Sequence, residues 1–169
     1  RSASGQKAAA SHTGALAGAE AAYEAAFRKA GVIRATTAEE LFDWARALAA
    51  APLPAGRGMA ILTNAGGPGV IAADALDRCN LSLAELSPDT LTGLCAFLPA
   101  AASLHNPVDM LASALPAHYA ESLRLLLADP QVAGVLVVLP PPPLHPAEDV
   151  AAALIPLIQA AAKPVVVAL

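Results

Sequence analysis

From residue 57 onward the chain alternates short apolar runs with longer amphipathic segments. The apolar runs predict four strands, at residues 58–63, 81–86, 132–139 and 164–169. The segments between them predict four helices, at residues 68–79, 88–97, 116–128 and 146–162, with a turn-rich stretch at 99–109. Residues 135–139 and 165–167 are apolar at every position, which is typical of parallel strands that helices cover on both faces. The pattern therefore predicts a doubly wound α/β domain of the flavodoxin-like kind over residues 57–169.

The first 50 residues show a different organisation. Apolar residues recur every three or four positions and predict an amphipathic helix that ends at Gly31; they are Leu16, Ala19, Tyr23, Phe27 and Ala30. A short strand is predicted at residues 32–35, and a capping box at residues 37–40 predicts a second helix that buries Leu41, Ala45 and Leu48. A single strand needs partners from elsewhere. We therefore expect residues 1–50 to be part of an α/β domain and residues 51–56 to be a linker.

A glycine-rich turn at residues 64–69 is the first candidate for chemistry. It follows the strand predicted at 58–63 and leads into a helix, with Pro68 suited to the first helical position. The amino end of a helix leaves backbone N–H groups unpaired and carries about half a positive charge, and glycines let a ligand approach them closely. The predicted phosphate-binding residues are Asn64, Gly66, Gly67 and Gly69. The same pattern also occurs where a helix simply packs against a strand.

The second candidate is His12, which stands among small residues just before the first helical pattern. Small neighbours leave an imidazole accessible, and a neutral imidazole can act as a nucleophile that holds a phosphoryl group reversibly. A surface or capping histidine fits the same position, so the residues alone leave both roles open. Ser11, Thr13 and Gly14 flank His12, and each of the two hydroxyls either bonds near the imidazole or caps the helix.

Composition and charge exclude several classes of protein. The chain has 169 residues, 56% of them apolar, which is enough for one domain with a core and part of another. A net charge of −4 with scattered basic residues predicts no nucleic-acid partner, and the lack of any run of about 20 apolar residues predicts no membrane span. Cys79 and Cys95 lack a C-x-x-C spacing, so we expect two small core residues in a reducing, cytoplasmic setting. No signal-peptide pattern is present and the first residue is Arg1, so we expect a piece of a longer protein.

Four motifs occur in a defined order along the chain. They are residues 11–18 (SHTGALAG) after residues 1–5 (RSASG), residues 29–34 (KAGVIR), residues 63–70 (TNAGGPGV) and residues 106–109 (NPVD). Together they resemble the NDP-forming acyl-CoA synthetases, the superfamily that includes succinyl-CoA synthetase and ADP-forming acetate–CoA ligase. The first motif resembles the phosphohistidine loop of that family, and the third resembles the start of its second power helix. The resemblance implies that residues 1–50 end a first flavodoxin-like domain and that residues 57–169 form most or all of a second.

The resemblance also implies a mechanism. In the family, phosphate attacks an acyl-CoA to give an acyl phosphate, whose phosphoryl group moves to a histidine and then to ADP, and the path also runs in reverse. On that transfer His12 is the phosphorylated nucleophile, and the glycine turn stabilises the charge of the phosphohistidine. Asn64 either donates its amide to a phosphate oxygen or closes the turn, and Asp109 either stabilises its own turn or fixes a catalytic water or metal. His105 and His118 match no motif position, so we expect both at the surface.

The resemblance further implies ligands and partners for the parent enzyme. CoA, ATP or ADP and Mg²⁺ would be bound mostly by a CoA-binding Rossmann domain and by an ATP-grasp pair, on the same chain or on a partner subunit. We expect this chain to hold no tightly bound cofactor and no metal, and to be inactive alone. The small-molecule partners would be an acyl-CoA or its acid, phosphate and the nucleotide. Two alternatives are a regulatory acyl-CoA-synthetase-like module of a bacterial protein lysine acetyltransferase and a flavodoxin-like module that binds a nucleotide or protein by shape.

Overall fold

The structure, a computed structural model, describes residues 4, 5, 7, 8, 11 and 20–168. The chain divides into two compact units, Arg1–Arg46 and Ala47–Leu169. Helix α1 at Glu20–Ala30 lies in the first unit, and helix α2 at Ala38–Ala50 begins there. Gly31 follows α1 with a φ of +68°, the left-handed conformation that commonly ends a helix. The predicted end of the first helix is therefore confirmed.

Capping and ion pairs stabilise the ends of these two helices. The N–H of Glu40 donates to Thr37 Oγ1 over 3.0 Å, and the Glu40 carboxylate accepts from the N–H of Thr36 over 2.7 Å. This confirms the predicted capping box, with the reciprocal bond moved one residue earlier. The Arg34 guanidinium forms ion pairs with two carboxylates of α1, Glu20 and Glu24. Because all three groups are partly exposed to water, these pairs contribute little to stability.

Two expectations for this part of the chain are wrong. Residues 32–35 form no strand, and Val32 and Ile33 are exposed. The second helix is present, but the residues predicted to be buried on it are exposed; they are Leu41, Ala45 and Leu48. A strand needs a neighbouring strand and an apolar helix face needs a covering layer, and no described residue of this unit supplies either.

The second unit is a five-stranded parallel sheet with helices on both faces, which confirms the predicted α/β fold. Its strands are β1 at Gly58–Thr63, β2 at Ser82–Leu83, β3 at Val108–Asp109, β4 at Gly134–Val138 and β5 at Val165–Ala168. Its helices are α3 at Gly66–Arg78, α4 at Pro88–Cys95, α5 at Pro116–Ala128 and α6 at Ala147–Ala160. The strands lie in the order β2, β1, β4, β5, and β3 also pairs with β1. All of these pairings are parallel.

The strands divide their side chains between two hydrophobic layers, because successive side chains point to opposite faces of a sheet. One face packs on α3 through a small core made of Met59, Ile61, Ala72 and Leu76. The other face packs on α4, α5 and α6 through a larger core whose members include Leu62, Leu94, Leu123, Val137 and Leu154. The sheet is thus held between helices, and the carboxyl ends of its strands share one edge.

The side chain of Asn106 takes the place of a strand residue beside β1. β2 pairs with the first two residues of β1 and β3 pairs with the last two. Between them, Asn106 Oδ1 accepts from the N–H of Ile61 over 2.9 Å, and Nδ2 donates to the carbonyls of Met59 and Ala84 over 2.8 and 3.0 Å. This bridge explains why the strand predicted at 81–86 is shorter than expected, and why β3 is a short strand inside a stretch predicted to be turns.

The remaining elements follow the prediction closely, with two corrections. α3 begins at Gly66, two residues before its predicted start, so Pro68 is its third residue and not its first. β1 and α5 have the predicted bounds, and α4 begins after Ser87, whose Oγ accepts from the N–H of Thr90 over 3.3 Å. Cys79 and Cys95 are exposed, so the expectation that they belong to the core is wrong. Cys79 directly follows the last residue of α3, and Cys95 is the last residue of α4. Among the helices of residues 20–168, none combines the length and the apolarity of a membrane span.

Candidate functional site

The carboxyl edge of the sheet brings together three of the predicted site residues, Asn64, Gly66 and Asp109. Asn64 follows the last residue of β1, Gly66 is the first residue of α3, and Asp109 is the last residue of β3. β3 pairs with β1 so that Asp109 lies beside Thr63. Ligands of parallel α/β sheets bind beyond this edge. The predicted turn and the predicted aspartate therefore belong to one place in the fold.

The amino end of α3 is open to solvent. The residue before the helix is Ala65, which makes no side-chain cap, and both Gly66 and Gly67 are exposed. Helix geometry gives the N–H groups of the first turn no partner inside the helix. These groups carry partial positive charge, so this end of α3 is chemically suited to bind a small anion.

The glycines of the turn serve different purposes. A Cβ at Gly67 would contact nothing within 4 Å, whereas a Cβ at Gly66 would lie 3.3 Å from Oδ2 of Asp109. Gly69 is buried, and a Cβ there would lie only 3.2 Å from the methyl group of Thr63. Gly67 thus borders open space, Gly66 admits the Asp109 carboxylate, and Gly69 lets α3 pack closely on the end of β1.

Asp109 is fixed by its backbone on both sides and by its own carboxylate. Its N–H and carbonyl exchange hydrogen bonds of 3.0 Å with Ser103, and the N–H of Met110 donates to the carbonyl of Thr63 over 2.9 Å. Oδ1 accepts from the N–H of Leu111 over 2.9 Å, which is an Asx turn. Leu111 has a φ of +69°, a conformation that costs a residue with a side chain about 1–2 kcal/mol. The carboxylate therefore has one oxygen in its own turn and the other beside the start of α3.

Asn64 is almost completely buried, and its amide is already engaged. Its Nδ2 donates to the carbonyl of Pro140, in the proline-rich loop after β4, over 3.2 Å. Its Oδ1 is buried and has no hydrogen-bond partner among the described residues. In this conformation Asn64 joins the end of β1 to the loop after β4. This bond tests neither of the two roles that the sequence left open for Asn64, so both stay predictions.

Tyr119 of α5 is a site neighbour that the sequence analysis did not identify. Its side chain is 1% exposed, and its hydroxyl makes no hydrogen bond of normal geometry with a described residue. Burial raises the pKa of the Tyr119 hydroxyl, the nearby Asn64 side chain lowers it, and the Asp109 carboxylate raises it. The sequence contained a hint, because Tyr119 places a polar tip on the apolar stripe of α5 that includes Leu123 and Leu126.

The remaining predicted residues lie in the first unit, near its beginning. Ser11 is exposed, and its Oγ donates to the carbonyl of Ala8 over 2.8 Å, a bond within one helical turn. His12, Thr13 and Gly14 lie outside the described residues. Their predicted roles therefore stay predictions.

The other histidines and the metal-ligating side chains add no second centre to the described part of the chain. His105 is exposed, as expected. His118 was expected at the surface but is only partly exposed. Its ring lies against Phe97, with the ring centroids 5.8 Å apart, and its Nδ1 accepts from the N–H of Leu115 over 3.2 Å. In residues 20–168 and the five described residues before them, no three His, Cys, Asp or Glu side chains are placed to hold a metal ion together.

Two family models match the chain and together cover most of it. Residues 1–48 match the succinyl-CoA ligase like flavodoxin domain. Residues 59–169 match the Ligase-CoA domain. The second match covers more than half of the chain and includes the turn, α3 and Asp109.

Similar proteins carry related names. The chain is 52% identical over 132 residues to the alpha subunit of an ADP-forming acetate–CoA ligase II of Pyrococcus furiosus, covering 78% of the chain and 29% of that protein. It is 48% identical over 141 residues to an ADP-forming acetate–CoA ligase I of Archaeoglobus fulgidus, covering 83% of the chain and 20% of that protein. The chain thus spans between a fifth and a third of the length of these relatives.

A solved structure shows the same fold. The acetyl-coenzyme A synthetase 1 of Ca. Korarchaeum cryptofilum, described as dinucleotide forming and solved in complex with phosphate and ADP, superposes with a TM-score of 0.86 at 34% identity. The match covers 98% of this chain and 36% of that one. The apo form of the same synthetase gives a TM-score of 0.85 at 32% identity.

Proposed function

Since this chain belongs to the Ligase-CoA family of NDP-forming acyl-CoA synthetases, we propose that it is part of an ADP-forming acyl-CoA ligase. The observation that carries the proposal is the uncapped, exposed amino end of α3 at the carboxyl edge of a sheet of this family. Such an end binds phosphate groups through backbone N–H groups. Gly66 and Gly67 are the residues assigned to that contact, with Asn64 and Gly69 holding the turn in shape.

In the proposed reaction, His12 carries a phosphoryl group between two substrates. A phosphate oxygen attacks the thioester carbonyl of the acyl-CoA, the carbon–sulfur bond breaks, and CoA leaves as the thiol. An imidazole nitrogen of His12 then attacks phosphorus, the bond to the acyl oxygen breaks, and the acid leaves. A β-phosphate oxygen of ADP finally takes the phosphoryl group from His12 to give ATP. All three steps run in reverse when the acid is activated.

Backbone donors suit this relay because the phosphoryl group must also leave. A phosphohistidine carries about two negative charges, and a lysine or arginine would hold it in a strong ion pair. Fixed N–H groups at the start of α3 stabilise the charge without that pairing and need no reorganisation. The supporting roles of Ser11, Thr13 and Gly14 are to keep the imidazole accessible.

The proposed domain arrangement places most ligand binding outside this chain. Residues 1–50 form the last part of a first flavodoxin-like domain, residues 51–56 are a linker, and residues 57–169 form the second domain. CoA, ATP or ADP and Mg²⁺ bind mostly to other domains, including ATP-grasp domains on the same chain or on a partner subunit. A subunit name, alpha, in the Pyrococcus furiosus relative supports a partner. The relatives named above are ligases, so the acetyltransferase alternative has no support from them.

The test uses the full-length protein together with any partner subunit. Incubation with ATP labelled in the γ-phosphate should give a protein-bound phosphate that acid removes and base leaves intact. His12→Ala should abolish this label. The matched control is His105→Ala, which changes an exposed histidine and should keep the label. A label that persists in His12→Ala would remove His12 from the relay.

The glycine turn is tested separately. Gly67→Ala adds a methyl group where nothing lies within 4 Å, so folding should be preserved while the KM for phosphate rises several-fold. The matched control is Gly56→Ala, whose methyl group would make an ordinary 3.5 Å contact with Ala133 at the opposite edge of the sheet. Equal KM values for phosphate in both variants would argue against phosphate binding at α3.

A further inference from the structure

A carboxylate from another segment of the chain, that of Asp109, lies beside the amino end of helix α3. Ala65 supplies no cap, but Oδ2 of Asp109 lies so close to the first residue that a Cβ at Gly66 would be 3.3 Å from it. A carboxylate at the amino end of a helix is stabilised by the helix dipole. Asp109 therefore occupies the neighbourhood in which a phosphate group would bind.

The carboxylate is held in this place and is not a freely moving side chain. Oδ1 is tied to the N–H of Leu111, and the backbone of Asp109 is bonded to Ser103 in both directions. Leu111 keeps a left-handed backbone to complete the turn. The charge also reaches the buried Tyr119, where Asp109 contributes to the raised pKa of the hydroxyl. Two buried polar atoms without partners among the described residues, Asn64 Oδ1 and the Tyr119 hydroxyl, lie at the same edge.

From this geometry we propose that Asp109 sets the affinity for phosphate at the start of α3. The inference rests on the proposed function and deepens it. When no phosphate is bound, the Asp109 carboxylate balances the positive end of the helix. When phosphate or a phosphoryl group is bound, the same carboxylate repels it and favours its release. A relay needs this balance, because a group that binds too tightly is not passed on.

The substitution Asp109→Asn separates charge from structure. The amide oxygen of asparagine can still accept from the N–H of Leu111, so the Asx turn remains. The substitution removes the negative charge and puts an amide NH2 group in place of Oδ2. The dependence of binding on salt separates lost repulsion from a new hydrogen bond, because salt screens only the repulsion between charges. Two charges several ångströms apart at a protein surface interact strongly enough to change a binding constant about tenfold. The matched control is Asp74→Asn, which removes an exposed carboxylate from α3 itself, about two turns further along.

The experiment titrates the full-length protein with inorganic phosphate in a calorimeter and measures the KM for phosphate in the assembled enzyme. Asp109→Asn should bind phosphate about tenfold more tightly with a correspondingly lower KM, while Asp74→Asn should match the wild type. Unchanged or weaker binding by Asp109→Asn, with normal binding by the wild type, overturns this inference and leaves the proposed function standing. No phosphate binding by either protein overturns both. At high salt the difference in phosphate affinity between the wild type and Asp109→Asn should become smaller, because salt screens the repulsion.

Discussion

Removing the side chain of Asn106 should destabilise the sheet more than any single exposed hydrogen bond could. In Asn106→Ala the N–H of Ile61 and the carbonyl of Ala84 lose their side-chain partner, whereas the carbonyl of Met59 keeps the N–H of Ala84 at 2.9 Å. Each buried backbone group left without a partner costs about 1–3 kcal/mol. For the two groups we therefore expect a loss of about 2–6 kcal/mol. This is a large share of the roughly 5–15 kcal/mol by which a domain is stable.

The measurement is urea unfolding of the wild type and the variant, followed by circular dichroism, with equal slopes required before midpoints are compared. Gln131→Ala is the matched control, because it removes an exposed amide side chain and should change the free energy of unfolding by no more than about 0.5 kcal/mol. A loss below about 1 kcal/mol in Asn106→Ala would refute the reasoning, since the two backbone groups would then have found other partners.

Asn106→Asp tests the direction of the same bonds. Its carboxylate can still accept from Ile61, but its second oxygen would face the carbonyls of Met59 and Ala84. The two carbonyls should raise the pKa of the new carboxyl group above its unfolded value of about 3.9. The variant should therefore be most stable below about pH 4 and should lose stability as the pH rises through the raised pKa. Stability that instead improved towards neutral pH would show that the new side chain does not face these carbonyls.

Three further predictions concern stability elsewhere in the second unit. Burial alone would raise the pKa of Asp129, but hydrogen bonds from the backbone of Ser87 and Gln131 and from the hydroxyls of Thr90 and Ser87 outweigh it and hold the pKa below its usual value. The deficit of Asp129→Asn in urea unfolding should therefore be full above about pH 4, the unfolded pKa, and shrink as the pH falls through the lower folded pKa. Gly58→Ala would place a Cβ 2.8 Å from the backbone oxygen of Gln131 and should cost about 2 kcal/mol or more. Gly93→Ala meets only the movable end of Leu125 at 2.9 Å and gains helix propensity, so its free energy of unfolding should change by less than about 1 kcal/mol.

The sequence pattern was sufficient to predict the bounds of an element where those bounds depend only on the residues of that element. β1 and α5 have the predicted bounds because an apolar run and a regular helical stripe fix them locally. The strand predicted at residues 32–35 was wrong because a strand is stable only beside another strand. The bounds predicted for β2 were too wide for a related reason. The Asn106 side chain bonds the backbone groups that a longer strand would need.

The candidate site was predicted in part. The glycine turn can be recognised in the sequence, and its position at the carboxyl edge of the sheet follows from the alternation of strands and helices. The approach of Asp109 to Gly66 does not, because it depends on β3 pairing with the second half of β1. The neighbourhood of Asn64, Tyr119 and Pro140 likewise joins three elements that are far apart in sequence. Contacts of this kind depend on tertiary packing, which a local sequence pattern does not predict.

The division of one edge of β1 between two short strands has a consequence for how this protein can vary. β2 secures the amino half of β1, β3 secures the carboxyl half, and Asn106 separates the two. The segment that leads from α4 to Asn106 can therefore change at its exposed positions without altering the pairing of β1 with β2. Descendants or designed variants can adjust the surroundings of Asp109 through that segment while the base of the sheet stays as it is.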